Sequence, residues 1–359
     1  MQDMTPPRPV PAEVLARLKA VTGPAGYLDD PAAIEPHCLA WRDGWRGEVP
    51  IVMRPISTAE VAEIVKICAE TRTPIVTQSG NTGLTGGGQP HMGGAEIVLS
   101  LDRMTRIREV DPLNDSMTVE AGVILKTVQE EAAKVDRLFP LSLAAEGSCR
   151  IGGNLSTNAG GVQVLRYGNA RALALGVEVV TADGQVWDGL RALRKDNAGY
   201  DLKQVFIGAE GTLGIITAAV LRLYPKPADS AVALVATPSC AAAIELLAAM
   251  KSAMGEAVTA FELMHPICFS LAAETMGHED PLPGAGWRVL MQLDGPGPDG
   301  TLREGLEAAL AEALEAGLAT DAIMAASLEQ AARLWRIRED QAEVQQRAGA
   351  GIKHDISVP

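Results

Sequence analysis

At 359 residues the chain is long for one hydrophobic core, so two domains are expected. Its 47% hydrophobic and 21% charged residues describe a soluble globular protein. The net charge of −14 excludes nucleic acid and anionic membrane surfaces as partners, and requires locally placed arginines or lysines to catch any anionic substrate. Five scattered cysteines (Cys38, Cys68, Cys149, Cys240, Cys268), with no Cys-x-x-Cys pair, fit buried thiols in a reducing compartment. The proline-rich start, Met1 to Pro11, lacks the apolar core of a signal peptide, and no run is apolar for long enough to span a bilayer. The expected location is the cytoplasm.

A short helix is expected over Pro11 to Ala20 and a strand over Ile51 to Pro55. Ser57 with Glu60 forms a capping box that opens a helix running to about Glu70. The β-branched run Pro74-Ile75-Val76-Thr77 reads as a buried strand and leads into Gln78-Ser79-Gly80-Asn81-Thr82-Gly83-Leu84-Thr85-Gly86-Gly87-Gly88. Five glycines in nine residues let the backbone take positive φ and approach a ligand closely. Successive N–H groups in such a turn face one concavity and suit an anion such as a pyrophosphate. A flexible surface loop is the alternative reading of this stretch. No Lys-Ser or Lys-Thr follows the glycines, so it is not a P-loop.

Strands are expected over Glu96 to Leu101, Arg106 to Val110 and Met117 to Glu120, then a helix over Ile124 to Lys134. A second small-residue stretch runs from Glu146 to Gly161, and a hairpin follows at Leu175 to Trp187, turning at Asp183-Gly184. A third glycine set, Gly208 to Gly214, precedes the strand Ile215-Ile216-Thr217. Pro225-Lys226-Pro227 marks an interdomain boundary, giving a first domain over 1–225, subdivided near 140, and a second over 226–359. There, strands (Val232 to Ala236, Val258 to Leu263, Arg288 to Leu293) alternate with helices (Ala241 to Met250, Leu302 to Leu314), an α+β pattern with one face of the sheet covered. The fingerprint Gly295-Pro296-Gly297-Pro298-Asp299-Gly300 is a proline-stiffened turn, because both prolines remove N–H groups that a nicotinamide dinucleotide would need.

A long helix is expected from Ser327 to about Arg347. On it Leu328, Ala331, Leu334, Trp335, Ile337, Ala342 and Val344 share one apolar arc, with Arg338 in its middle. A guanidinium in such surroundings must be paired, either in an internal ion pair or as a fork for a substrate carboxylate. Ile352 to Val358 alternates like a strand, putting Lys353, Asp355 and Ser357 on one face. The five histidines (His37, His91, His265, His278, His354) include no pair at metal-ligand spacing.

Three small-residue loops in one domain suit one long ligand, a dinucleotide. Gln78 to Gly88, Gly147 to Gly161, Arg194 to Lys203 and Gly208 to Thr217, in this order, resemble the FAD-linked D-2-hydroxyacid dehydrogenases. These belong to the vanillyl-alcohol oxidase superfamily, and the likeness is nearest to D-2-hydroxyglutarate, D-lactate and glycolate dehydrogenases. The resemblance implies an α+β protein with a two-part, PCMH-type FAD-binding domain followed by a ferredoxin-like substrate domain, incomplete at its C-terminal end. It implies that Gln78, Ser79, Gly80, Asn81, Thr82, Gly83 and Leu84 hold the FAD pyrophosphate. Gly147, Ser148, Gly152, Gly153, Asn154, Thr157, Asn158, Gly160 and Gly161 would line the flavin, with Glu210, Gly211, Ile215 and Ile216 on the adenosine side. Covalent relatives carry a histidine near the first loop; Gly80-Asn81 stands here, so FAD is expected without a covalent bond.

The segment Trp335-Arg336-Ile337-Arg338-Glu339 resembles the one that supplies a substrate-binding arginine, and Lys353 falls where the family places a substrate-binding lysine. Ala342 stands where relatives show a hydroxyl side chain, which bears on the substrate's identity. The family's zinc or other divalent-metal ligands and its general base belong to a later His-x-Gly-Asp-Gly-Asn-x-His pattern and a Glu-His pair that this sequence lacks. No catalytic residue is therefore identified, and the 359-residue chain is expected to hold FAD without oxidising a hydroxy acid. A catalytically silent FAD-binding subunit or fragment is the alternative to an enzyme. The expected partners are a small anionic 2-hydroxy acid and an electron acceptor, with a homodimer as the assembly to test and no nucleic acid.

Overall fold

The structure is a computed structural model that describes residues 9–40, 44–349, 351 and 356–358. The chain divides into two compact units: the first takes the residues up to Gly160 and Gly168–Pro225, the second Gly161–Tyr167 and the residues from Lys226 on.

The first unit opens with α1 (Ala12–Thr22), β1 (Tyr27–Leu28), α2 (Pro31–Cys38), β2 (Val52–Met53), α3 (Thr58–Thr71), β3 (Ile75–Gln78) and β4 (Ile97–Ser100). The capping box forms: Ser57 Oγ accepts from Glu60 N at 3.2 Å, and Glu60 Oε2 from Ile56 N at 2.8 Å. β2 and β3 lie parallel to β4 between them, with β1 antiparallel at the edge. α1 and α3 bury Leu18, Val61 and Ile64 with Ile51, Met53, Ile97 and Leu99 in one cluster. A helix between two parallel strands is the crossover such pairing requires.

A second, antiparallel sheet follows, built from β5 (Ile107–Asp111), β6 (Ser116–Glu120), β8 (Ala174–Thr181), β9 (Val186–Gly189) and β10 (Gly214–Arg222) in the order β5-β6-β10-β8-β9. The change of sheet thus comes between Ser100 and Ile107, earlier than residue 140. The hairpin β8–β9 pairs Val180 with Val186 and turns through Gly184 at φ +76°. Between β6 and β8 lie α4 (Leu125–Lys134), β7 (Arg137–Leu138), α5 (Ile151–Ser156) and α6 (Val164–Tyr167), the last counted with the second unit. α7 (Lys203–Phe206) precedes β10, and β11 (Tyr224–Pro225) pairs with β7. Two carboxylates are paired in this sheet, Glu120 buried and Glu178 partly buried. Glu120 accepts from Arg106 Nη2 at 2.8 Å; Glu178 Oε1 accepts from Thr58 Oγ1 at 2.6 Å, Thr217 Oγ1 at 2.8 Å and Arg108 Nη2 at 3.1 Å.

The second unit contains β12 (Asp229–Thr237), α8 (Cys240–Met254), β13 (Val258–Met264), α9 (Pro266–Met276), β14 (Trp287–Gly295), α10 (Thr301–Glu315), β15 (Asp321–Met324), α11 (Leu328–Glu339) and α12 (Gln341–Arg347). Its antiparallel sheet, in the order β13-β14-β12-β15, is the ferredoxin-like arrangement. The expectation of one covered face is corrected. Ala231, Ala233 and Val235 pack under α8 and α10, while Val232, Leu234 and Ala236 pack with Phe269 of α9 and with Leu334, Ile337 and Val344. The unbroken apolar run of β12 already carried this, since a strand buried on both faces does not alternate.

The expected long helix is two, α11 and α12, meeting at Asp340, whose carboxylate lies 2.8 Å from His278 Nε2. The proposed strand Ile352 to Val358 falls largely outside the described residues; 356–358 are not in a strand. The glycine–proline turn is held by protein: Gly300 N and Leu302 N donate to the Asp229 carboxylate at 3.1 and 2.7 Å.

Candidate functional site

The three loops of the first unit converge. The loop after β3 touches the second loop at Gly80, where a Cβ would lie 2.4 Å from Ser148 O. The second loop meets the third through Gly208 N→Leu155 O at 3.0 Å and Glu210 N→Ser156 O at 2.9 Å. The third returns to β3 at Gly211, where a Cβ would lie 2.4 Å from Thr77 Oγ1. Side chains bind the loops from behind. Gln78, buried, donates from Nε2 to His37 O and Gly88 O, both at 2.7 Å, and its Oε1 meets His37 Nδ1 at 2.9 Å. Asn81 donates to Pro36 O and Leu39 O and accepts from Gln89 Nε2 at 2.6 Å. Arg150 Nη1 ties the second loop to Asp102 O and Gly122 O.

Two kinds of group in the loops are left without a protein contact among the described residues. Ser79 Oγ, Gln89 Oε1 and Asn154 Oδ1 are buried without a hydrogen-bond partner among the described residues. Gly83 and Gly147, in contrast to Gly80, face open space, so a Cβ there would meet nothing within 4 Å. Buried orphan acceptors are costly unless something supplies the missing bond.

Not every expected contact keeps that form. Only Asn81 and Gly86 in the first loop have positive φ, so most of its glycines serve closeness rather than handedness. Gly152 packs on Ala121 and Gly153 on Ser79. Thr157 Oγ1 is turned back to Gly153 O at 2.9 Å, and Asn158 Oδ1 accepts from Arg171 N at 3.0 Å. Ile215 and Ile216 are buried in β10. Gly160 closes the first unit's segment, whereas Gly161, at φ +91°, is counted with the second. Thr82 and Leu84 lie in the outer part of the first loop, Leu84 exposed.

In the second unit Arg338 Nε donates to Glu262 Oε2 at 2.5 Å, the ion-pair alternative. Its two Nη groups have no partner among the described residues. Lys353 lies outside the described residues. Among the described residues no three His, Cys, Asp or Glu side chains gather as a metal-ligand set. Sequence reasoning missed His37 as the clamp on Gln78 and missed Arg288, almost fully buried in β14; a charged residue inside an apolar strand run was the available signal. Of the cysteines, Cys38, Cys68 and Cys149 are buried as expected, Cys68 with its pKa pushed up to about 12 by burial, but Cys240 is exposed.

Comparison with known proteins matches a model of an FAD binding domain to residues 49–189 and one of the FAD linked oxidases, C-terminal domain, to residues 226–359. The mitochondrial D-2-hydroxyglutarate dehydrogenase of Bos taurus is 39% identical over 345 residues, 96% of this chain and 63% of the relative. That of Arabidopsis thaliana is 37% identical over 343 residues, 95% of this chain and 61% of the relative. The chain thus spans about three-fifths of the length of these curated relatives. Among solved structures, alkyldihydroxyacetonephosphate synthase superposes with a TM-score of 0.75 at 20% identity, over 96% of this chain and 66% of that one. p-Cresol methylhydroxylase does so with a TM-score of 0.75 at 17% identity, over 94% and 72%. These two establish the fold, that of the vanillyl-alcohol oxidase type. The expected cytoplasmic location is overturned, because these dehydrogenase relatives are mitochondrial by name. Scattered thiols and an acidic balance do not separate one reducing compartment from another.

Proposed function

The chain is a member of the FAD-linked oxidases, carrying both the FAD binding domain and the C-terminal domain, and from this we propose that it binds FAD and serves the oxidation of a D-2-hydroxy acid, D-2-hydroxyglutarate first, to the 2-oxo acid. The carrying observation is the convergence of three loops around orphaned buried polar atoms and glycines that face open space. These residues fit FAD: main-chain groups of 78–84 would take the pyrophosphate, and Ser79 and Asn154 would gain their missing bonds. Asn81 offers no histidyl link, so the flavin is held without a covalent bond. When bound, FAD supplies the acceptor for the hydride leaving the carbinol carbon.

The chain's own residues bind and orient. Gln78 and His37 fix the mouth of the first loop, and Arg150 the start of the second. Arg338, anchored at Nε by Glu262, turns its free Nη groups to a substrate carboxylate. Lys353 is the second anion partner on sequence grounds. The acid is small and anionic, an electron acceptor is required, and a homodimer is the assembly to test.

The experiment is anaerobic mixing of the purified protein with D-2-hydroxyglutarate, D-lactate or glycolate while flavin absorbance is followed. Bleaching fastest with D-2-hydroxyglutarate supports the proposal and overturns the expectation that these 359 residues hold FAD without oxidising a hydroxy acid. Bleaching only with D-lactate or glycolate replaces the substrate, and no bleaching with any of them leaves a catalytically silent FAD-binding chain.

A further inference from the structure

The second small-residue loop ends in an excursion. The chain leaves the first unit after Gly160, gives residues 161–167 to the second unit, and returns at Gly168. Glycines at positive φ stand at both crossings, Gly161 at +91° and Gly168 at +75°, where a side chain would be strained. The base of the excursion is pinched shut within the first unit. Ala170 N donates to Ala159 O at 2.8 Å, and Arg171 N to Asn158 Oδ1 at 3.0 Å. Asn158, Gly160 and Gly161, at this base, are among the residues that the FAD reading sets along the flavin.

The tip is held within the second unit. Four residues of helix do not stand alone, so α6 depends on what it packs against. It lies along β13, an edge strand of that unit's sheet, and Tyr167 is buried. The pairing of β13 with β14 ends at Val258 opposite Leu293, one residue short of Asp294. Arg166 Nη1 donates to the Asp294 carbonyl oxygen at 2.6 Å, with the guanidinium carbon 5.0 Å from the centre of the Tyr167 ring. The anchor point is itself fixed. The buried Asp294 carboxylate accepts from Thr259 Oγ1 at 2.6 Å and from Gln292 Nε2 at 3.0 Å.

We propose that Arg166 is a positioning residue for the flavin, acting through residues 161–167 to fix the outgoing end of the second loop. The link runs through the chain and rests on the FAD reading of that loop. Without its anchor the excursion keeps only its pinched base, and Gly160 and Gly161 sample more positions. Seating the flavin must then order them, which lowers affinity. A change in the second unit's sheet near Asp294 reaches the flavin by the same route.

The test is fluorimetric titration of the full chain with FAD, using wild type, Arg166→Ala, Arg166→Lys and Arg303→Ala. Arg303 makes a like contact in the second unit, Nη1 to Ala325 O at 2.6 Å, away from the excursion. Arg166→Ala should weaken FAD binding about tenfold and change the visible circular dichroism of the bound flavin. Arg166→Lys, still a donor, should recover most of the affinity, and Arg303→Ala should bind as wild type does. Hydrogen exchange over residues 158–171 should be faster in Arg166→Ala alone. An FAD affinity within twofold of wild type in Arg166→Ala overturns the proposal, as does equal weakening in Arg303→Ala. Should Arg166→Ala fail to fold, Arg166→Met keeps the stem beside Tyr167, loses the donor and takes its place. A wild type that takes up no FAD refutes the flavin reading itself. The tether is then decided by exchange alone, which overturns it if Arg166→Ala and wild type agree.

Discussion

A Cβ on Gly80 would sit 2.4 Å from the carbonyl oxygen of Ser148, so the first and second loops come backbone to backbone at this residue. Gly83, three residues on, has nothing within 4 Å of the same position. The two glycines thus do different work. Gly80→Ala should force the loops apart, lowering stability by about 1–3 kcal/mol together with flavin content. Gly83→Val should fold as well as wild type and lose flavin. Melting temperature and the 1:1 flavin ratio of each purified variant check both.

Acid precipitation should leave all flavin in the supernatant. Asn81 is engaged with Pro36, Leu39 and Gln89 and has no nucleophilic side chain. A yellow pellet would contradict the non-covalent assignment.

In a form of the protein that turns over the hydroxy acid, Arg338→Ala should raise KM by the equivalent of about 2–5 kcal/mol, with little change in melting temperature. The pair with Glu262 is partly exposed, so its own share of stability is small. A variant that loses stability but keeps its KM would make Arg338 a purely internal partner of Glu262.

Burial pushes the Glu178 carboxyl up, but hydrogen bonds from Arg108, Thr58 and Thr217 outweigh it and hold the pKa below the usual carboxylate value. A depressed folded-state pKa contributes stability that is present above the unfolded value and lost as pH falls through the folded one. Glu178→Gln should therefore lower the melting temperature at neutral pH. The gap to wild type should close as pH falls below about 4. Melting curves across that range test it.

Asp229→Ala should destabilise the second unit by about 1–3 kcal/mol, since Gly300 N and Leu302 N lose a buried acceptor. Flavin content should be unchanged. A drop in flavin without a drop in stability would refute this structural role.

Much of the site was legible because its signals are local. Glycine clusters after β-branched runs mark the loops, and Ser57 and Ser327 mark helix starts that form as expected. What stayed hidden depends on distant partners. α5 contains Gly152 and Gly153, poor helix formers, and stands because Gly152 N bonds Ala121 O and because Ala121 leaves no room for a larger residue. The carboxylate–guanidinium pairing of Arg338 joins residues 76 positions apart. His37 precedes its partner Gln78 by 41 positions, and no spacing rule connects them.

The central strand of the antiparallel sheet, β10, is also the last of its five to leave the ribosome. Until Arg222 has been made, β5–β6 and β8–β9 are two separate hairpins, because each reaches the other only through β10. Closing so long a segment costs entropy that local contacts cannot repay early, so the sheet assembles late. The third loop enters β10 and the second lies between the hairpins, which makes cofactor capture a late event in biogenesis. Flavin should appear on the nascent chain only after this strand has docked.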